Sequence, residues 1–395
     1  MTPIVSLPAE PRIRAAWWGV VARFLVHGLV ISTWVSRIAG VKATLRLSDG
    51  TLGLALFGAA VGSGIAIPFT GWLISKYGSR RAAIWSTIGL ASALVLPALA
   101  VNAWTLTAGL VVYGFMAGSN DVSMNSNAVG VEKLLPRPTI SRIHAMFSIG
   151  GIFGAAVGGA IAGWGISPLV HLGGASVLLV AFSVATSPLL IETTATTGKR
   201  SKVSWFHLPR TLFLLSLIGF CIFMSEGAIA DWTAVYLAQV LGAGHGLAAQ
   251  GYAVFSISMA LFRFFGDQIA YRLGRAWTIR LGGAIAAIGM TWMLSMSNPY
   301  WALPGLMLAG AGYSSIIPLV FAGGGRLQGV DPAVGVATVS GLGYLAFLVG
   351  PPLIGAISEF SSLRFGLFVL VALAVLASSL VGAVFPKETN PGGGA

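Results

Sequence analysis

Twelve apolar segments, each about as long as a membrane-crossing helix, constrain the fold of this chain more than any other feature. A helix needs about 20 mainly apolar residues to cross roughly 30 Å of hydrocarbon. The segments are residues 17–40, 51–74, 82–101, 105–128, 143–164, 168–190, 211–239, 250–271, 277–297, 301–322, 335–357 and 364–385. Their connections are short except at the polar, threonine-rich stretch 191–210. The sequence therefore predicts an all-α membrane protein with 12 transmembrane helices: a six-helix bundle over 1–190, a cytoplasmic linker over 191–210 and a second six-helix bundle over 211–395.

Composition excludes the main soluble alternatives. Charged residues make up 9% of the chain, against about 25% in an ordinary soluble domain, while 56% are hydrophobic and the mean hydropathy is +0.87. So few charges cannot cover a water-facing surface, which excludes a soluble enzyme and a soluble nucleic-acid-binding protein. A single cysteine, Cys221, excludes an intrachain disulfide framework.

The net charge of +12 is explained by membrane topology rather than by a nucleic-acid partner. With the N-terminus in the cytoplasm, 17 Lys and Arg residues fall on the cytoplasmic side and four fall outside. Arg23 and Arg263 lie within apolar segments, which accounts for all 23. Because basic residues concentrate on the cytoplasmic side of membrane proteins, both termini are expected in the cytoplasm. Anionic lipid headgroups are the expected partners of these basic residues.

One connection occurs in both halves of the chain. Between the second and third segments it reads GWLISKYGSRR, from Gly71 to Arg81, and between the eighth and ninth it reads GDQIAYRLGR, from Gly266 to Arg275. Similar loops at equivalent places in two six-segment halves are typical of a parallel structural repeat. The sequence therefore predicts two pseudo-symmetric six-helix bundles.

The first of these loops resembles the signature of the major facilitator superfamily of transporters, G-x-L-x-D-R-x-G-R-R. The residues that carry the resemblance are Gly71, Leu73, Lys76, Gly78, Arg80 and Arg81. Ser75 stands where the signature has its aspartate. The polar run from Asn120 to Asn125 is similar to that of a poorly characterised bacterial branch, itself loosely similar to sugar–proton symporters. The resemblance covers the whole chain in segment count, orientation and repeat.

The resemblance implies a secondary active transporter of the bacterial inner membrane that works by alternating access, as a monomer and without a cofactor. Its partners would be a small-molecule substrate, protons and membrane lipids. Proton-coupled movement of a small polar organic solute, sugar-like or an organic acid, is favoured. Proton-driven efflux of drugs or metabolites is the alternative, and a membrane receptor without transport is a third. Residues 154–158 read Gly-Ala-Ala-Val-Gly, without the Gly-Pro pair typical of drug antiporters in the fifth segment, which favours the polar solute.

The resemblance also assigns the signature-loop residues to a cytoplasmic gate. Because Ser75 cannot supply the charge of the missing aspartate, the gate is expected to depend on the second half of the chain. There Arg263 and Asp267 are four residues apart, a spacing at which oppositely charged side chains pair on a helix. Both residues are therefore predicted to act in gating.

Two acids of the seventh segment are the sharpest candidates for proton coupling. An ionisable side chain inside a span costs at least about 2.5 kcal/mol, so such residues normally face protein or a water-filled cavity. Glu226 lies near mid-depth with no basic residue in its own segment, and Asp231 follows five residues later. Trp232 and Tyr236, four apart, are expected to stack on a ring-shaped solute. A structural role is the alternative for each of these residues.

Polar residues of the first, fourth and tenth segments complete the candidate set. Arg23 and Asp121 lie at similar depth on the first and fourth segments and are predicted to pair. His27 and Asp121 are further candidates for proton coupling. The candidates for solute binding are Arg23, His27, Asn120, Asn125, Tyr313 and Ser314, with a permanent ion pair and interhelical hydrogen bonds as the structural alternatives. The sequence contains neither an ATP-binding Gly-x4-Gly-Lys-Ser/Thr loop nor a clustered Cys and His set for zinc.

Overall fold

The computed structural model describes residues 10–137, 139–193 and 208–385. Within these ranges every regular element is helical, with fifteen α-helices and one short 3-10 helix, Ser187–Leu189. The first half contains α1 (Glu10–Val35), α2 (Ile38–Leu45), α3 (Asp49–Tyr77), α4 (Ser79–Ala93), α5 (Leu96–Leu99), α6 (Ala103–Glu132), α7 (Ile140–Gly163) and α8 (Pro168–Thr186). The second half contains α9 (Arg210–Gln239), α10 (His245–Leu273), α11 (Arg275–Ser295), α12 (Pro299–Tyr313), α13 (Ile316–Gly324), α14 (Pro332–Phe360) and α15 (Leu363–Val384). The all-α prediction is confirmed.

Ten helical segments of the described chain are long and apolar enough to cross a membrane. The fourth and ninth predicted segments correspond to α6 and α11, which have 30 and 21 residues but more polar sequences. The polar run from Asn120 to Asn127 lies in α6, and α11 carries Arg275 and Arg280 in its first two turns. Each of the twelve predicted segments therefore corresponds to helical structure.

Three predicted segments are each broken into two helices. The first is divided into α1 and α2, the third into α4 and α5, and the tenth into α12 and α13. Two of the breaks have a proline as their cause, because proline lacks the N–H that would bond to the carbonyl four residues earlier. Pro97 removes this bond at Ala93, the last residue of α4, and Pro318 removes it at Ser314, just after α12.

The described residues form two compact units. The first contains the chain up to Arg37 together with 58–161 and the residues from Ile166 to the end of the first half. The second contains the helices α9–α15 and also takes in Ile38–Phe57 and Ala162–Gly165 from the first half. Helix α3 therefore begins within the second unit and continues in the first.

Polar contacts fasten the segment Ile38–Phe57 to the rest of the second unit. The Lys42 ammonium group lies 2.6 Å from the Asp49 carboxylate and donates to the Gln239 side chain, also at 2.6 Å. The Glu359 carboxylate accepts from the Gly50 backbone N–H at 2.9 Å. Because Gln239 ends α9, these contacts hold the end of the helix that carries the two candidate acids.

A single glycine joins two consecutive helices at equivalent places in the two halves. Gly78, with φ +88°, separates α3 from α4, and Gly274, with φ +78°, separates α10 from α11. Residues with a β-carbon avoid this left-handed region, whereas glycine enters it readily. The backbone requirement explains why both repeated loops carry a glycine at this position.

Candidate functional site

The two candidate acids lie on one helix but point in different directions. Glu226 and Asp231 are both half-buried side chains of α9. Five residues of α-helix turn the chain by about 500°, so the two carboxyl groups are about 140° apart around the helix axis. The Oε1 atom of Glu226 is buried and has no hydrogen-bond partner within the part of the chain that the structure describes. Glu226 is thus a costly polar group that local packing does not satisfy.

Helix α10 brings a tyrosine and an arginine to these acids. Arg263 lies within electrostatic range of Glu226, and Tyr252 lies within range of Glu226, Asp231 and Arg263. Tyr252 bonds to the Ser256 side chain one turn along α10. The sequence analysis missed Tyr252. The spacing along α10 could have indicated it. Residues 252, 256, 259 and 263 are three or four apart, so their polar or sulfur-containing side chains lie on one face of the helix.

Arg263 does not form the predicted pair with Asp267. Its Nε atom donates to the carbonyl oxygen of Ser314 at 3.0 Å, and one Nη atom approaches the Met259 sulfur at 3.0 Å. The Asp267 side chain is exposed. The break between α12 and α13 is the physical reason for the difference, because it offers Arg263 a free carbonyl oxygen that the spacing on α10 could not reveal.

Several residues predicted to contact a solute are enclosed by protein. Trp232 and Tyr236 are 0% exposed, and the Tyr236 hydroxyl donates to the Leu294 carbonyl at 3.5 Å. Neither ring therefore presents a face for stacking in this structure. Tyr313 is buried beside Ser225, and the Ser314 hydroxyl donates to the Ala311 carbonyl at 2.7 Å.

A buried polar network occupies the interior of the first unit. Asn120 Nδ2 donates to His27 Nδ1 at 2.9 Å, while Asn120 Oδ1 accepts from the hydroxyls of Thr87 at 2.5 Å and Ser86 at 3.3 Å. The Ser86 hydroxyl also bonds to Ser123 at 2.6 Å. An accepting Nδ1 places the proton of a neutral imidazole on Nε2. His27 and Asn120 thus hydrogen-bond between helices α1 and α6, which favours the structural alternative for both.

Arg23 and Asp121 point to different partners. Arg23 is 0% exposed and donates to the Ser183 carbonyl at 3.0 Å and the Ser187 hydroxyl at 3.1 Å, so it joins α1 to the end of α8 rather than to Asp121. Asp121 is half-buried and accepts from the Asn125 side chain at 3.1 Å. The predicted pair is replaced because the Ser183 carbonyl and the Ser187 hydroxyl accept the Arg23 donors. Equal depth in two helices did not determine which face each residue occupies.

The signature loop contacts the acidic residue Glu192, which sequence reasoning missed. The Glu192 carboxylate accepts from the Ser79 backbone N–H at 2.6 Å and the Arg80 backbone N–H at 3.4 Å, at the start of α4. A negative charge at a helix N-terminus satisfies unpaired N–H groups and interacts favourably with the helix dipole. A β-carbon at Gly78 would overlap this carboxylate. The loop glycine is therefore required for packing as well as for its φ.

Of the basic residues of the loop, Lys76 and Arg81 are exposed and Arg80 is half-buried. Lys76 lies 5.1 Å from the ring centres of both Trp72 and Tyr77, and Arg80 Nε donates to the Leu190 carbonyl at 2.8 Å. Arg81 is exposed, and Gly71 is half-buried. The Lys76 contacts lie within the loop, whereas the Arg80 contact joins the loop to Leu190, the last residue of the predicted sixth segment. The gating role of these residues stays a prediction.

Removing the Glu192 charge is expected to destabilise the chain. Glu192→Gln should lower the free energy of unfolding by about 1 kcal/mol, because the start of α4 loses a charged acceptor. Ser75→Ala is the matched control in the same loop, since the Ser75 hydroxyl donates only to Trp72 one turn earlier in α3. Thermal unfolding in detergent measures both. Equal melting temperatures for the two variants would contradict the capping role of Glu192.

Comparison with known proteins identifies the family. Residues 19–327 match the model of the Major Facilitator Superfamily. The chain belongs to this superfamily. An uncharacterised MFS-type transporter of Yersinia pestis is 36% identical over 361 residues, which cover 90% of this chain and 93% of the relative. The predicted family is confirmed.

Solved structures agree with this assignment at the level of the fold. A bacterial homologue of the human lysosomal transporter Spinster, in an inward-facing and unoccupied conformation, has a TM-score of 0.77 at 14% identity, covering 95% of this chain and 98% of its own. A variant of the nucleoside transporter NupG has a TM-score of 0.74 at 12% identity, covering 94% and 100%. The predicted MFS fold is therefore confirmed.

Proposed function

We propose that this chain is a proton-coupled secondary transporter that moves a small polar organic solute across the bacterial inner membrane. In this proposal the chain is a monomer with both termini in the cytoplasm, and the distribution of Lys and Arg supports the position of the termini. Membership of a transporter superfamily supports transport itself. The observation that carries proton coupling is the Glu226 carboxyl group, whose Oε1 atom is buried and lacks a hydrogen-bond partner among the described residues.

Two opposing influences act on the Glu226 carboxyl group. Burial disfavours the charged form of any carboxyl group, whereas a nearby cation favours it. Arg263 is such a cation, and Glu226 lies within its electrostatic range. The protonation state of Glu226 therefore depends on what else occupies the space around Arg263. A group of this kind suits a transporter that binds and releases a proton in each cycle.

A polar solute is supported by the half-buried polar side chains of both units. Asp121 and Asn125 lie in the first unit, and Glu226 and Asp231 lie in the second. Each of these side chains retains some accessible surface, unlike the enclosed Asn120. Polar groups in a membrane span are costly and normally mark a substrate or ion pathway.

Solute-driven proton movement tests the proposal. Purified protein is first screened by thermal shift for solutes that stabilise it, and each such solute is then added outside proteoliposomes that contain a pH-sensitive dye. We expect solute and protons to enter together, with no signal from protein-free liposomes. Opposite movement of solute and protons would establish the efflux alternative. Solute flux without proton movement would contradict proton coupling, and binding without flux would indicate a receptor.

A further inference from the structure

Arg263 is a charged side chain that remains exposed in the interior part of a candidate membrane span. It is the nineteenth of the 29 residues of α10, so it lies about 27 Å from one end and 15 Å from the other at 1.5 Å per residue. A guanidinium group at such a depth faces water or protein rather than lipid. Because Arg263 is exposed, we expect its accessible surface to face water rather than lipid.

A proline on another helix holds Arg263 in place. Pro318 has no N–H, so the Ser314 carbonyl four residues earlier accepts no helical hydrogen bond from it and is free to accept from Arg263 Nε at 3.0 Å. Ser314 also follows the last residue of α12, where the negative end of the helix dipole stabilises a cation. The guanidinium plane is thus oriented by the protein before any solute binds.

Apart from the Ser314 carbonyl, Arg263 has only one hydrogen-bond partner among the described residues, and that partner is a weak acceptor. A guanidinium group carries five N–H donors, and the second contact of Arg263 is to the Met259 thioether, a weak acceptor. Arg263 forms no salt bridge with a carboxylate of the described residues. The paired N–H groups of an arginine match the two oxygens of a carboxylate or phosphate. Arg263 is therefore pre-oriented, accessible and without an anionic ligand of its own.

We propose that Arg263 binds the anionic group of the transported solute, which is therefore an organic anion. This inference rests on the proposed transport function and names its substrate class. Glu226 and the solute anion compete for the same cation. When the anion binds Arg263, Glu226 loses its favourable interaction with that cation and is repelled by the new negative charge, so it takes up a proton. Release of the anion restores the interaction and Glu226 gives the proton back. One anion and one proton therefore move together without net charge.

The other ionisable groups around α9 do not replace Arg263 as the cation. On α9 itself, Arg210 is 16 residues or about 24 Å from Glu226, and the other groups are Cys221, Asp231 and Tyr236. Helix α10 contributes Tyr252 and α12 contributes Tyr313. By sequence, α13 has no titratable side chain. Among the helices packed on α9, α14 carries Tyr344 and Glu359, α15 carries Arg364 and α2 carries Lys42. Arg364 and Lys42 are engaged with Tyr236, Asp49 and Gln239, near the far end of α9.

Binding of carboxylates and their neutral counterparts tests the proposal without a proton gradient. The probes are glucuronate with glucose, lactate with lactamide, succinate with succinamide, and benzoate with benzamide. Thermal shift of the full chain is measured at one pH unit below and one above neutrality. We expect at least one carboxylate to stabilise the protein, more strongly at the lower pH, and its neutral counterpart to be weaker by at least about tenfold in Kd.

Variants assign the anion site to Arg263. Arg263→Gln should weaken binding of the stabilising carboxylate by at least about tenfold, whereas Arg263→Lys should retain part of it because the charge remains but the planar fork is lost. Glu226→Gln should bind the carboxylate with little dependence on pH. Melting temperatures without solute show whether each variant is folded, and the lysine variant serves if the glutamine variant is not.

Three results would overturn the proposal. In the first, a neutral counterpart stabilises the protein as much as its carboxylate does. In the second, folded Arg263→Gln binds the carboxylate as tightly as wild type. In the third, no carboxylate of the panel stabilises the protein. None of these results removes proton coupling through Glu226, which is measured separately by proton movement in liposomes. Conversely, loss of proton coupling leaves anion binding at Arg263 measurable.

Discussion

Replacing Glu226 with glutamine is expected to abolish solute accumulation driven by a proton gradient, while solute exchange stays within about twofold of wild type. Glutamine has nearly the same shape as the protonated acid but cannot release a proton. Glu226 is 16 residues from the start of α9 and 13 from its end, so it lies roughly 24 Å and 20 Å from the two ends of the helix. A proton carrier at this depth is reached from either side only as the protein changes conformation.

Uptake and exchange are measured in the same preparation of proteoliposomes, so that folding and insertion are identical for both. Asp231→Asn is the matched variant, because it also removes one half-buried carboxylate from α9. Glu10→Gln is the surface control, since among the described residues Glu10 pairs only with the exposed Arg14 in the next turn of α1. If Glu226→Gln still concentrates solute against its gradient while Asp231→Asn does not, Asp231 carries the proton.

A large loss of stability is expected from substitution of Gly62, where the backbones of α3 and α6 are in close contact. Gly62→Ala should lower the free energy of unfolding by about 1–3 kcal/mol. A β-carbon at Gly62 would overlap the Val111 carbonyl oxygen and lie 2.7 Å from the Phe115 nitrogen, both on α6. These are backbone atoms, so the contact cannot be relieved by a change of rotamer. The helices themselves would have to separate.

The control for this substitution lies two residues along the same helix. A β-carbon at Gly64 would meet no described atom within 4 Å, so Gly64→Ala removes a flexible helical glycine without a steric penalty. We expect the Gly64 variant to melt at or above the wild-type temperature in detergent and the Gly62 variant well below it. Similar melting temperatures for the two variants would show that the contact between α3 and α6 adapts at little cost.

The fold followed from the sequence because bilayer thickness acts on whole segments. The predicted segments 51–74 and 211–239 correspond to α3 and α9 within three residues at each end. The breaks were missed because a break changes only two or three residues, which leaves the apolar character of the segment unaltered. Pro318 was visible in the sequence, but its effect on the Ser314 carbonyl depends on Arg263 of another helix.

The candidate site was predicted in part. Glu226 was recognisable because a lone acid in an apolar segment has a cost that needs an explanation. Spacing along a helix gives the face on which a side chain lies, but not the tertiary neighbour that it meets. This is why the expected partners of Arg23 and Arg263 differ from the observed ones. Glu192 was missed for a related reason: it lies 113 residues from Ser79, so no local pattern connects them.

The single glycine between α10 and α11 has a mechanical consequence. With only Gly274 between them, the last residue of α10 and the first of α11 are two peptide units apart, about 7 Å at most. The connection has no slack, so any displacement of the last turn of α10 must carry the first turn of α11 with it, while the angle between the two helices can still change at Gly274. Spin labels placed near the joint, on the last turn of α10 and the first turn of α11, should therefore keep a constant separation throughout the transport cycle. Labels at the opposite ends of the two helices are free to move apart.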